Sequence, residues 1–329
     1  MPRDAVDLSV VVPVYGCEGC LEELHRRLMD VLGGLGLHYE IVLVDDRSPD
    51  RSWSVMRQLR SLDDAVRLVR LSRNFGQQAA MTAGLAAATG RWTVVMDCDL
   101  QDPPELIPRL YAKAQEGYEV VLARRITRTH SRLRLIAAGA YFKFVRVFLG
   151  VDINGEYGSF SLISAKVRHE FLRIRDTDRH YLPILLWLGF ERADVEFEHG
   201  ERYAGKSSYS FLALARLAAE GVFFQTTTLL RWIVYAGFAI AALGAALALF
   251  FIVSWALASP YPGWTSLAVL LLLLGGFIIT STGVTGLYIG KIFGQVKDRP
   301  LYIVDHEEAD DVLATRSDGA ESVRGNAGA

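Results

Sequence analysis

Through the first 123 residues, short apolar runs alternate with stretches of helical period. The runs fall at 8–14, 39–45, 66–71, 92–97 and 118–123, and helical patterns fill 18–33, 52–62, 76–89 and 104–117. Alternation of this kind with short links predicts a mostly parallel sheet with helices on both faces. The strands are near-continuous apolar runs, as strands covered on both sides are. Pro103 and Pro104 suit the opening of a helix, where proline is tolerated.

Beyond residue 124 the pattern changes. Residues 130–149 set Arg132, Arg134, Lys143 and Arg146 against Leu135, Ile136, Tyr141, Phe142, Val145 and Phe148. A basic amphipathic helix of this kind lies in a membrane interface. Residues 209–226 predict a second such helix. From Trp232 to Gly290, 59 residues pass without Asp, Glu, Lys or Arg. That length fits two transmembrane helices of roughly 20 to 25 residues. The expected spans are 232–257 and 265–290, joined by the turn Ala258-Ser-Pro-Tyr-Pro-Gly-Trp264. The expected organisation is therefore a domain over 1–228, a membrane hairpin over 229–291 and a tail over 292–329.

Charge sets the orientation. The turn carries none, whereas Arg231 precedes the first span and Lys291, Lys297 and Arg299 follow the second. The positive-inside rule then keeps the first domain and both termini in the cytoplasm, on a multi-pass protein of the cell membrane. No apolar leader precedes the strand at Leu8. Mean hydropathy is +0.22 and net charge −2, but the charge is uneven. Residues 305–329 hold seven acids and two arginines, which predicts a disordered tail, while 124–150 hold seven Lys or Arg and no acid. No nucleic-acid partner is expected. The three cysteines fit a reducing compartment, and Cys17-x-x-Cys20 has no second pair to complete a zinc site.

Candidate chemistry gathers at strand ends. The first strand ends in Pro13-Val-Tyr15 with Glu18 following, the second in Asp45-Asp46, the fourth in Asp97-Cys-Asp99. In a doubly wound sheet these ends lie side by side at the edge where such sheets bind ligands. Residues i and i+2 of an extended strand point the same way, so Asp97 and Asp99 are expected to face one point. Two hard oxygen ligands suit Mg²⁺ or Mn²⁺ on a diphosphate. Asp45 can accept the N–H of uracil or guanine, and Tyr15 can cover the base.

Five segments together resemble glycosyltransferase family 2 with the GT-A fold, and more narrowly its polyprenyl-phosphate glycosyltransferases. They are Val11-Val-Pro-Val-Tyr15, Ile41-Val-Leu-Val-Asp-Asp-Arg-Ser-Pro-Asp50, Leu71-Ser-Arg-Asn-Phe-Gly-Gln77, Met96-Asp-Cys-Asp-Leu-Gln-Asp-Pro-Pro-Glu105 and Arg202-Tyr-Ala-Gly-Lys-Ser-Ser-Tyr209. The resemblance implies inverting transfer of a sugar from a nucleotide-sugar donor to a polyprenyl phosphate at the lipid bilayer, for cell-envelope glycans. It implies a nucleotide pocket of Pro13, Tyr15, Glu18 and Asp45, and a metal held by Asp97, Asp99 and Gln101. Arg125 is expected just after the fifth strand, as a catalytic cation. Arg125, Arg132, Arg134, Arg202, Lys206 and Ser207 are expected on the acceptor phosphate. A homo-oligomer is compatible with it.

One departure stands out. Relatives often carry Gly-Asp-Phe-Arg where this chain has Gly158-Ser-Phe-Ser161, so no catalytic acid is assigned there. Two other readings remain. A processive synthase would carry Gln-x-x-Arg-Trp, but five residues separate Gln225 from Arg231-Trp232. A silent nucleotide-sugar binder would not need the intact Asp97/Asp99 pair.

Overall fold

The computed structural model describes residues 6–126, 157–198 apart from Asp178, scattered positions between 233 and 253, and 263–308. These form two compact units. The first holds 6–126, 157–198 and 300–308; the second holds the described positions from 233 to 299.

The first unit is a mixed α/β sheet. In chain order it runs β1 (Leu8–Val14), α1 (Leu21–Gly33), β2 (Tyr39–Asp45), α2 (Ser52–Leu62), β3 (Val66–Leu71), α3 (Gln77–Ala87) and β4 (Trp92–Val95). A short 3₁₀ turn leads into α4 (Ile107–Ala114), then β5 (Val120–Ile126), β6 (Tyr157–Ser164), α5 (Ala165–Arg173), α6 (Tyr181–Leu188) and β7 (Arg192–Glu198). After α7 (Trp264–Val296) of the second unit comes β8 (Val304–Glu308). The sheet order is β7-β5-β6-β4-β1-β2-β3-β8.

Alternation along β1 explains the two-sided core. Val10 and Val12 pack with Leu24, Leu28, Met56 and Leu110 on one face. Val11 packs with Met81, Leu85, Val167 and Phe171 on the other. Both faces of β1 are thus covered, and all seven residues are buried. The alanine-rich α3 comes very close: a Cβ on Gly84 would stand 2.3 Å from a Val11 methyl.

Two expectations need correction, the bounds of two strands and the disordered tail. The sheet is mostly parallel as expected, and mixed because β6 lies antiparallel between β4 and β5. Its sequence is short and reads with no helix-strand rhythm. The fourth strand ends at Val95, two residues before Asp97, and the fifth runs on to Ile126, so Arg125 lies within it. The expectation of a disordered tail fails at Val304–Glu308, which pairs antiparallel with β3. The acidic composition of the tail hides this strand, yet the edge of β3 offers unpaired backbone groups that it satisfies. Arg47–Asp305 at 2.8 Å and Arg67–Glu307 at 3.8 Å pair its acids with the sheet's cations.

In the second unit, α7 has 33 residues. At 1.5 Å per residue it reaches about 50 Å, beyond the ~30 Å hydrocarbon core of a bilayer. Its segment Leu274–Val296 is the one stretch among the described residues long and apolar enough to cross a membrane. Apolar side chains stand exposed along it, among them Ile279 at 74% and Phe293 at 60%. The expected first span is helical at its described positions, Ile233 to Ile240 among them. A Cβ on Gly237 would lie 3.5 Å from the Phe277 ring, so the two helical stretches touch through a small residue. The expected interfacial helices at 130–149 and 209–226 lie outside the described residues.

Candidate active site

The site is built where β1, β2 and β4 end together. The register places Val14 beside Asp45. Asp45 is fully buried, and both its oxygens are engaged: Ser48 N–H donates at 2.9 Å and Arg70 Nε at 3.0 Å. Each oxygen keeps a further lone pair. Tyr15 is 54% exposed at the mouth. Glu18 turns away to Arg51, with Oε1 2.9 Å from Nε, while its backbone N–H donates to Asp50 at 3.1 Å. Pro13 lies within β1, opposite Val44.

Asp46 points the other way and fastens a second loop. It accepts the backbone N–H groups of Phe75 at 2.7 Å and Gly76 at 2.8 Å. Gly76 takes a φ of +94°, which a side chain would resist. That loop delivers Gln77, the first residue of α3, to the Asp-Cys-Asp segment. Gln77 Nε2 donates to Asp97 Oδ1 at 2.7 Å, and Ser159 Oγ donates to the same oxygen at 2.9 Å.

Asp97 and Asp99 sit on a turn rather than on a strand, so the alternation of an extended chain is not what brings them together. Leu100, with a φ of +62°, completes that turn, and Gln101 N–H donates to Asp99 Oδ1 at 3.2 Å. Burial pushes the Asp97 carboxyl above its ordinary range; the Ser159 donor offsets this, Asp99 adds to it, and Arg125 opposes it. Two acids thus stand on one turn, a donor set that suits a hard divalent cation. Among the described residues no cluster of three or more His, Cys, Asp or Glu has metal-site geometry, so other oxygens must complete any such site.

Behind the turn lies Asp102, fully buried. Its Oδ1 accepts from Arg125 Nη2 at 3.2 Å. Burial and the nearby Asp97 push the Asp102 carboxyl up to about 6, against the pull of Arg125. Cys17 Sγ donates to the Cys98 carbonyl at 3.2 Å, tying the loop after β1 to the middle of the Asp-Cys-Asp segment. The contact with Cys98 and burial push this thiol's pKa up, so it stays neutral.

A cleft of about 140 Å³ opens beside Asp97, lined among others by Gln78, Tyr157, Ser159, His180 and Pro183. Partial burial lowers the pKa of His180, which lines the cleft. Tyr157 donates to Asp194 at 2.7 Å. The structure brings Asp97, Asp99, Gln101 and Arg125 together on and behind one turn, while Asp45 ends β2 and Tyr15 follows β1, the strand between β2 and β4. Arg132, Arg134, Arg202, Lys206 and Ser207 lie outside the described residues. Asp46, Gln77, Asp102 and His180 carry site geometry that sequence reasoning missed. Three of them stand inside or beside the quoted motifs, but their contacts are tertiary.

The family description "Glycosyl transferase family 2" matches residues 9–171. An uncharacterized glycosyltransferase, YkcC, of Bacillus subtilis is 36% identical over 91% of this chain and 93% of its own. Undecaprenyl-phosphate 4-deoxy-4-formamido-L-arabinose transferase of Shewanella sediminis is 34% identical over 90% of this chain and 91% of its own. A prophage-derived bactoprenol glucosyl transferase of Shigella flexneri is 33% identical over 90% and 97%. Among solved structures, glucosyl-3-phosphoglycerate synthase of Mycobacterium tuberculosis with Mn²⁺ and UDP-glucose aligns at a TM-score of 0.46 and 17% identity, over 68% of this chain and 79% of that one. With identity above 30% along nine-tenths of its length, the chain belongs to glycosyltransferase family 2, among the polyprenyl-phosphate glycosyltransferases.

Proposed function

We propose that the chain transfers a sugar, with inversion, from a nucleotide-diphosphate sugar to a polyprenyl phosphate, on a domain of GT-A type. The observation that carries this is near-full-length similarity to transferases named for undecaprenyl phosphate and bactoprenol, joined to a paired-acid turn at the ligand edge of the sheet. The acceptor phosphate has its second pKa near about 6 and is already an anionic nucleophile at neutral pH. No strong general base is then required, which is consistent with Ser159 standing where relatives often carry Asp. A phosphate oxygen attacks C1 of the sugar from the face opposite the diphosphate. The C1–O bond breaks, and the nucleoside diphosphate leaves with its electron pair.

This chain's residues manage the charge. Asp97 and Asp99, with Gln101, are positioned to hold Mg²⁺ or Mn²⁺, which when bound would neutralise the leaving diphosphate. Asp46 fixes the loop that brings Gln77 to Asp97. Arg125 supplies a cation near the second anion. Tyr15 and Asp45 are the nucleotide side of the site, and the cleft by Ser159 and His180 is the sugar or acceptor side.

The catalytic domain and both termini are assigned to the cytoplasmic face of the cell membrane, with two crossings between them. The return of the chain to the sheet at β8 supports an even number of crossings. The decisive assay combines purified protein, undecaprenyl phosphate and a panel of nucleotide sugars, with mass spectrometry of the lipid. One donor should yield a polyprenyl-phosphate monosaccharide. No glycolipid with any donor would sink the proposal.

A further inference from the structure

The β5–β6 pairing breaks register in an unusual place. Leu122 faces Ser161, yet Arg124 faces Tyr157, so β6 bulges through Gly158, Ser159 and Phe160. Bulges re-aim side chains and recur beside active sites. Here the bulge turns Ser159 onto Asp97 and sets Gly158 against Arg125. A Cβ on Gly158 would stand 2.8 Å from Arg125 Nη2 and 3.2 Å from Cζ. The guanidinium therefore runs through a lane that only glycine leaves open.

At the end of that lane is Asp102. The pair is half-satisfied: among the described residues, Asp102 Oδ2 and Arg125 Nε are both buried without a hydrogen-bond partner. Buried polar groups left this way cost stability and mark sites where position outweighs it. Among the described residues Arg125 pairs with Asp102 at 3.2 Å, although Asp97 lies within its electrostatic reach. A guanidinium free to choose would pair with Asp97 directly and occupy the candidate metal ligand.

We propose that Asp102 and Gly158 are positioning elements for Arg125, drawing its guanidinium back from Asp97 so that the paired acids stay open and the cation stays available to the acceptor phosphate. This rests on the transferase reading and on Arg125 serving an anionic substrate. Asp102 touches no substrate; it acts through Arg125.

The test uses the full-length protein in detergent and two readouts. Mn²⁺ binding, measured by calorimetry with the metal alone, needs neither donor nor lipid. Asp102→Asn should weaken it roughly tenfold, the scale of losing a residue that orients a ligand sphere. Gly158→Ala meets only the far end of a flexible side chain, so it should fold normally and raise KM for undecaprenyl phosphate while kcat changes less. In an Arg125→Ala background, Gly158→Ala should have no further effect on KM, since its target is gone. A Gly158→Ala protein with wild-type KM overturns the inference. So does Gly158→Ala acting equally in both backgrounds, or Asp102→Asn with wild-type Mn²⁺ affinity. Wild-type protein that binds Mn²⁺ with these shifts but glycosylates no lipid would instead overturn the transferase reading and leave the positioning intact.

Discussion

Asp97 shares one carboxylate oxygen between two donors, Gln77 and Ser159, and this leaves its second oxygen for other work. On the proposed mechanism, losing the charge at either acid removes stabilisation of the leaving group. Asp97→Asn and Asp99→Asn should each lower transfer by about a hundredfold or more. EDTA should reproduce that loss, with recovery on adding Mn²⁺ or Mg²⁺. Full activity of both variants, measured by radiolabelled sugar transfer, would remove the acids from the site. Gln77→Ala should act more gently, about three- to tenfold, since it removes one hydrogen bond of about 1 kcal/mol. At this scale the sequence was readable where chemistry repeats as a motif. Asp97, Asp99 and Asp45 could be picked out because acids at strand ends are conspicuous. Asp46 could not be separated from Asp45 as the anchor of another loop, because its partners Phe75 and Gly76 lie about thirty residues away. Asp102 carries no local signal of its role, because its partner Arg125 comes from β5, more than twenty residues on.

Elements meet at a polar knot on the opposite edge of the sheet. Glu40, in β2, accepts from Ser9 Oγ at 2.6 Å, Arg67 Nη1 at 2.8 Å and Thr89 N at 2.6 Å. Burial alone would raise this carboxyl, but the donors hold it below its ordinary value of 4.5. A depressed folded pKa gives stability that is present above the unfolded value and is lost as pH falls through the folded one. Glu40→Gln should therefore be less stable than wild type at pH 7, with the gap closing as pH falls below about 4.5. Urea melts from pH 7 to 3 measure this, and a gap constant with pH would show that the charge contributes nothing. Glu40→Ala removes the charged acceptor of these donors but leaves the half-buried Arg67 its bond to the Ala87 carbonyl at 2.8 Å and Glu307 at 3.8 Å, and should cost about 1.5–3 kcal/mol. Nearby packing sets a different limit. Gly84→Ala drives a methyl into Val11 and should cost about 1–3 kcal/mol or more, read as a lower melting temperature. The elements that carry this knot, β1 to β4 with α1 to α3, were legible because each is a long periodic segment with local turn signals. β6 and β7 were not, since one is bulged at a glycine and both are placed by non-local pairing.

For the whole molecule, the strand that follows the membrane-length helix α7 bears on the proposed topology. β1 and β8 belong to one sheet, joined through β2 and β3. Backbone hydrogen bonds between β3 and β8 cannot form across a bilayer, so on the proposed membrane reading the chain would cross an even number of times between Ile126 and Val304. The charge pattern leads to the same expectation by another route, from an uncharged turn flanked by Lys and Arg. It misread the tail, because acidic composition averages over a segment whose first residues are strand. Cysteine substitutions in a cysteine-free background test the parity. Labels at Asp4 and at Ser322, beyond β8, should react with an impermeant maleimide only after the cytoplasmic side is opened. A label at Ser259, in the turn, should react from outside in intact cells. Opposite sidedness of the two ends would rule out this sheet. Deleting the chain from Val304 onward should keep that sidedness but bare the edge of β3, together with Arg47 and Arg67, which lose Asp305 and Glu307. Because Arg70 leans on Trp53 and binds Asp45, and Trp53 meets His306 edge-on at 5.8 Å, the loss should reach the nucleotide side of the site. The truncated protein should show a raised KM for the donor, with KM for the lipid acceptor little changed; unaltered donor kinetics would mean that β8 closes the sheet without supporting the pocket.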